Sequence, residues 1–493
     1  MPAADPALRS ALAQSRFGLG ARPGDPSPAQ GDVRDALRQE IRAGAPSLQG
    51  APGLSPSDEI LREFYDFREK RREARDRAPP RQDGARQDGA AQDMAAQDTA
   101  KQDEPMAQGR QGRGARPGDD AMGPPLPRRV FLAEVEARLS KAYREPALGF
   151  AERMVLFWSN HFAVSAAKGP IVRVIAGAFE REAIRPHVFG RFADMLMAVE
   201  THPAMLVYLD NQRSVGAESR AGASSKRGLN ENLAREILEL HTLGVGGGYT
   251  QADVTALAEI ITGWTIVGPQ ARLGQPGTFV FNPRAHEPGP RTLLGVRYPA
   301  GGQEQGRAAL LALARHPATA RHLALKLARH FVADTPPPEL VDALASTFTR
   351  TDGDLAAVSE TLVSHDLAWQ AERGKMRSPL EFAIALVRAT AMTPRVPRFA
   401  GALASMGQPL WAPPGPNGFS DMTATWASAE GLSARMDVAS WAAEQATGQD
   451  PRQLAESLSG PLLSAATREA VARAETRRQG LALLFLSPEF QRR

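Results

Sequence analysis

Apolar positions recur at intervals of three and four residues along most of the chain, so the pattern predicts one helix after another. Between 56 and 72, Ile60, Leu61, Phe64, Tyr65 and Phe67 share one side of a helix that Ser57 and Asp58 would open. Similar patterns cover 129–143, 146–162, 172–185, 193–199, 230–243 and 251–263, then 305–315, 319–332, 338–349, 355–365 and 379–390. The period changes only between 264 and 298. There, 278–281 and 293–298 read as short strands between Pro- and Gly-rich turns, which predicts one small hairpin with His286 near its tip. The expected class is all-α: a large multi-helix body with a small β-hairpin excursion near 278–298.

One stretch breaks the helical pattern. From 71 to 127 the pairs Gln82-Asp83, Gln87-Asp88, Gln92-Asp93, Gln97-Asp98 and Gln102-Asp103 recur every five residues. That period fits neither helix nor strand, and the units have almost nothing to bury, so they cannot offset the entropy of ordering. The expectation is a disordered insertion at 71–127, between an N-terminal helical part at 1–70 and a main helical body at 128–493.

Composition adds exclusions. Hydrophobic residues make up 42% and charged residues 23% of the 493, the balance of a chain with a real core. The formal net charge is only +4, and seven of the 59 basic residues are lysines. Arginine suits phosphate and carboxylate, but no dense basic stripe with interleaved aromatics is present, so no nucleic acid is expected as a partner. The absence of cysteine removes disulfides, zinc-thiolate sites and thiol nucleophiles together. The first residues lack a charged region followed by an apolar run, and no stretch approaches the roughly 18 apolar residues of a membrane helix. As written, the chain reads as cytoplasmic, with no membrane span.

The densest polar constellation lies at 230–241. On a helix beginning at Asn230, Asn232, Glu236 and Glu239 fall along one stripe. Arg235 follows Glu231 by four residues and can pair with it. Leu233, Ala234, Ile237 and His241 lie on the opposite, apolar side, so the carboxylates and His241 should point in different directions. Two readings stay open. In one, Asn230 caps the helix, the charges are solvated and His241 is a core histidine before Gly244. In the other, a second helix layer covers the stripe, and burial raises the pKa of Glu236 until it serves as a general acid or base.

Trp158 and Phe162 stand four residues apart beside Asn160 and His161, which fits either an aromatic core stripe or a platform for a flat ligand. His202 precedes Pro203, the pattern of a capped helix start. His161, His202, His241 and His286 are scattered, and neither His-Glu-x-x-His nor Glu-x-x-His occurs, so a metal site would need assembly from distant helices. No residue is assigned as a metal ligand, and the cofactor is left unknown.

Several segments together resemble the domain-of-unknown-function 1800 family. They are Arg16-Phe17-Gly18-Leu19-Gly20, Phe157-Trp158-Ser159-Asn160-His161-Phe162, the run from His202 to Asn211, the run from Gly228 to Gly244, Tyr249 to Val254, and Thr262-Gly263-Trp264. The His286 segment ending at Leu294-Gly295, the helix around Lys326, and Pro413 to Trp426 add to them. The resemblance spans nearly the whole chain outside the repeat insertion. It implies a bacterial protein of a family that is often exported and often encoded beside a sulfatase-like protein, hence a sulfatase-like partner and a carbohydrate or other envelope-polymer ligand. On that basis the first expectation is an acid-base hydrolase. Glu236, His161, His241 and Glu231 would carry the chemistry, and Asn160, Trp158, His202, Asn232, Arg235, Trp264 and His286 would hold substrate. The alternatives are a non-catalytic scaffold or partner protein and a metal-dependent enzyme using the scattered histidines.

Overall fold

The helical periodicity is realised almost everywhere it is strong. The computed structural model describes residues 5–24, 32–77, 125–144, 148–224, 228–370 and 372–493, and within them the fold is all-α with two small two-stranded β ribbons. At its centre lies the helix Pro379–Thr390, all twelve residues of which are buried. A helix buried on every side is enclosed by others, and Leu126–Arg144, Val396–Ser405 and Ala429–Gln445 pack around it. Its start is fixed by a capping box: the Ser378 hydroxyl accepts from the Glu381 amide while the Glu381 carboxylate accepts from the Ser378 amide. Pro317–Phe331 packs on Pro338–Arg350, and Leu126–Arg144 on Pro170–Phe179.

The expected hairpin is replaced by two ribbons. Phe279–Phe281 pairs not with the later strand but with Trp264–Ile266, and Arg291–Leu293 pairs with Val296–Tyr298. The second ribbon turns at Leu294 (φ 50°) and Gly295 (φ 77°), both left-handed, the geometry of a two-residue hairpin turn whose twist matches its strands. Leucine seldom marks such a turn, so 293–298 reads as one strand in the sequence. His286 therefore sits in the connection between two ribbons and not at a hairpin tip.

The edges of the expected insertion also shift. The helix Ser57–Asp76 continues past residue 70, and the next begins at Leu126. Ion pairs four residues apart, Arg72 with Asp76 (3.8 Å) and Arg77 with Glu73 (3.4 Å), support the exposed end of the first. The Gln-Asp repeat itself lies outside the described residues. Among the described residues, no helix is long and apolar enough to cross a membrane.

Among the described residues, three helices widen into single π turns, at Ala13–Phe17, Glu180–Ile184 and Ile237–His241. Each carries ionisable side chains into the interior: Arg16, then Glu180 and Arg181, then His241. Isolated π turns concentrate at functional sites, and the third falls inside the 230–241 constellation.

Candidate functional site

The α-helical part of the constellation is short, Asn232–Glu236, with Glu231 and not Asn230 at its N-cap; Asn230 stands one residue earlier, its Oδ1 accepting from the Asn232 amide at 2.9 Å. Beyond Glu236 the chain widens into the π turn. On an α-helix, residues five apart diverge by about 140°, which is why the carboxylates and His241 were expected to face apart. A π turn bonds residue i to i+5 and brings them toward one side. His241 is nonetheless fully buried while Glu236 is half-exposed, and it acts on the ionisation of Glu236 through space, without a hydrogen bond. Burial raises the Glu236 pKa above the ordinary carboxylate value, His241 works against this, and Glu239 adds to it. The Glu236 carboxylate is half-buried and makes no hydrogen bond. Nearby, burial together with Glu236 pushes the Tyr208 hydroxyl up to about 12.

His241 is fully buried, and its Nδ1–H donates to Glu200 Oε1 at 2.7 Å, also in the core. His241 Nε2 and Glu200 Oε2 have no hydrogen-bond partner. Two further histidines close the end of the π turn: His161 Nε2–H donates to the His241 carbonyl (3.2 Å), and His322 Nε2–H donates to the Leu240 carbonyl (3.1 Å). These carbonyls end a helix, where no further turn supplies donors. Burial pushes His161 well below the usual histidine range and lowers His322 to about 4. His161 Nδ1 is also without a partner. Buried polar atoms without partners are rare enough in native folds that each calls for a cause, and three of them converge on this turn.

Gly244 closes the segment at φ +85°, and a Cβ there would meet His322 Nδ1 at 2.6 Å. Gly244→Ala therefore combines backbone strain with displacement of His322. It should destabilise the protein by about 1–3 kcal/mol, read by urea unfolding; a change within error would show that this approach is not required.

His322 also sets a pH dependence. A histidine held neutral in the fold leaves the unfolded chain binding more protons between about 4 and 6.5, so stability is lost as pH falls through that window. The shift corresponds to about 3 kcal/mol. Comparing His322→Gln with the parent from pH 7 to pH 4, the variant should gain relative stability by about that amount; a constant difference across the range would show that His322 is not the titrating group.

On the helix Pro317–Phe331, His322, Lys326 and His330 stand at successive four-residue steps and share one face. The half-buried Lys326 ammonium makes no hydrogen bond, and burial lowers it to about 8 although Asp421 opposes this. His330 Nδ1–H donates to Asp421 Oδ1 at 2.7 Å, and its Nε2 faces Arg153 Nη2 at 3.3 Å. Glu381 joins them, bonded to Arg153 (3.0 Å) and Arg493 (3.1 Å). Burial alone would raise both carboxylates, but the surrounding cations win: Asp421 is held at about 2, chiefly by His330, and Glu381 lies well below the carboxylate range through Arg153 and Arg493. His330, Glu381, Asp421 and Arg493 wall a cleft of about 40 Å³ with Asn160 and Trp426.

The other expected residues disperse. Asn160 is tied to the backbone of Phe419, its Nδ2 donating to the carbonyl (2.8 Å) and its Oδ1 accepting from the amide (2.7 Å). Trp158 is fully buried among Phe157, His161, Phe162 and Phe192, with no face open to a ligand. Trp264 is equally buried and packs on Phe279. His202 caps Pro203–Tyr208 through Nδ1 and donates from Nε2 to Glu182 (3.1 Å). Glu231 pairs with Arg235 at 3.1 Å and accepts from Gln251 and Thr255, while Asn232 is exposed. His286 donates from Nδ1 to the Thr262 carbonyl at 3.0 Å. Of the expected set, His161 and His241 come together, their rings 6.3 Å apart, and Glu236 stands at the head of the same π turn. The sequence reading missed Glu200, His322, Lys326, His330, Glu381 and Asp421, and only the four-residue spacing of His322, Lys326 and His330 could have signalled them. Among the described residues, no three His, Asp or Glu side chains are grouped so as to hold a metal ion.

A model of the family described as "Protein of unknown function (DUF1800)" matches residues 13–492. No curated protein and no solved structure matches the chain. A match over nearly the whole length places the chain in the family described as a protein of unknown function, DUF1800.

Proposed function

We propose that the protein is an acid-base hydrolase with Glu236 as the proton-donating group and His241, held by Glu200, as its partner. The observation that carries this is the Glu200–His241 pair: a carboxylate fixes one imidazole nitrogen at 2.7 Å and leaves the other unbonded, while the same imidazole acts on a half-buried carboxyl that burial keeps protonated to higher pH. A histidine oriented by one group and working on another is the arrangement that acid-base catalysis needs. Glu236 would donate a proton to the leaving oxygen while water adds to the atom it leaves, and His241 Nε2 would take the proton that water releases and return it to Glu236. The substrate class, a carbohydrate or other envelope polymer, rests on the family resemblance alone. The test is hydrolysis of cell-envelope polysaccharide by the parent and by Glu236→Gln, with melting temperatures measured on the same samples.

A second reading, a non-catalytic scaffold acting with a sulfatase-like partner, is favoured by a different observation. The Arg153–Glu381–Arg493 and Arg185–Glu152 groups are buried and paired, as in a network that only ties helices together. Under it, Glu236→Gln would change no hydrolysis.

A further inference from the structure

Away from the π turn, Arg377 is a buried cation with much of its bonding capacity unused. Only 5% of it is exposed. Its Nη1 donates to the Phe490 carbonyl at 2.6 Å, and its guanidinium lies over the Phe490 ring. Nε and Nη2 have no acceptor, and the side chain makes no ion pair. Arg373, Arg493 and Arg435 crowd it electrostatically, against a single carboxylate, Glu381, acting in its favour. A guanidinium taken out of water without a counter-charge is costly, so the fold either bears that cost or supplies an anion.

Arg377 lines a pocket of about 20 Å³, whose wall also includes Arg373, Gln14, Ser459 and Glu489. Arg377 Nη2 lies beside Gly20, which at φ +98° leaves the space open. The Gln14 amide and the Ser459 hydroxyl make no hydrogen bonds. Glu489 is engaged elsewhere, one oxygen accepting from the Ser464 amide (3.2 Å) and the other from the Thr467 hydroxyl (2.7 Å). Arg373 spans the rim through bonds to the Glu489 and Leu462 carbonyls.

We infer that this pocket is a binding site for a small oxyanion, a carboxylate, phosphate or sulfate group, held by Arg377 Nε and Nη2 with Arg373, Gln14 and Ser459. Two adjacent donors on one planar guanidinium match two oxygens of such a group, and charge-assisted bonds of this kind are the strong ones. The volume is room for little more than one water-sized group, so the pocket takes one or two oxygens of the anion and leaves the rest at its mouth. The site shares no residue with the Glu236 constellation and does not depend on the hydrolase reading.

The test uses the full chain with sodium sulfate, phosphate, acetate and chloride at matched ionic strength, following melting temperature, together with equilibrium dialysis of labelled sulfate and phosphate. The expected result is a saturable rise in melting temperature with at least one oxyanion and none with chloride, and about one ion bound per chain. The favoured anion identifies the chemistry: acetate a carboxylate ligand, phosphate or sulfate a tetrahedral one. Arg377→Met should weaken binding by about tenfold or more. Because that variant removes a buried group, Arg373→Gln at the half-buried rim provides a second measurement, with an expected several-fold loss in a folded protein. No saturable binding by the parent, or a melting rise that both variants retain in full, would overturn the assignment, since sulfate and phosphate also stabilise folds without binding a site.

Discussion

Replacing Glu381 by alanine should destabilise the protein by about 3–5 kcal/mol. Its carboxylate sits between the Arg153 and Arg493 guanidiniums at 3.0 and 3.1 Å and accepts from the Ser378 amide at 2.8 Å. Removing it leaves two cations buried without their partner and breaks the capping box that starts the central helix. The cost of an unpaired buried charge exceeds what the intact pair contributes, which is why truncation should hurt more than an isosteric change. Glu381→Gln should therefore fall between the parent and the alanine variant. The same pair predicts an acid limit. A carboxylate whose folded pKa is depressed stabilises above its unfolded value and loses that contribution as pH falls toward its folded one. Asp421, held at about 2, and Glu381, held lower still, should make stability drop between about pH 4.5 and 2. Urea unfolding of the three proteins checks both statements; a loss below about 1 kcal/mol for the alanine variant would show that this network is not a main support of the fold.

Under the proposed acid-base hydrolysis, substituting Glu236 by glutamine should lower turnover by about 10²–10⁴-fold, the usual contribution of one positioned acid or base. It should leave the melting temperature essentially unchanged. The Glu236 carboxylate makes no hydrogen bond in the fold, is half-buried, and is repelled by Glu239, so a neutral isostere removes an unfavourable charge and no supporting bond. This combination separates the site from its surroundings. A residue that merely held the structure together would lose activity and stability in parallel, and a residue of a scaffold would lose neither.

Where local periodicity decides structure, the chain is readable from its residues. Glu231 and Arg235, four apart, pair as their spacing requires, and His202-Pro203 forms the capped helix start it resembles. The central helix 379–390 is recognisable by its apolar pattern, though not its burial on every side. The site was less legible because its main device leaves no trace in periodicity. A π turn uses ordinary residues, Ile237, Leu238, Glu239, Leu240 and His241, so nothing in the periodicity marks the wider turn that ends at the buried His241. Long-range pairing hid the rest: His330 and Asp421 are 91 residues apart, and Asp421 belongs to a segment without regular structure whose path is set by contacts such as Asn160 with Phe419. Glu200 sits on Phe192–Thr201, 41 residues before the histidine it holds, so no local spacing marks the pair.

The coupling between Glu236 and His241 can be measured without knowing the substrate. Difference infrared spectroscopy of the carboxyl band, comparing the parent with Glu236→Gln across pH 3 to 8, isolates the titration of Glu236. The account predicts protonation at a pH above the ordinary glutamate value of about 4.5, with a further upward move in His241→Gln, where the imidazole that opposes the shift is gone. Titration at or below that value, unmoved by the change at His241, would contradict the acid-base pair on which the proposed chemistry rests.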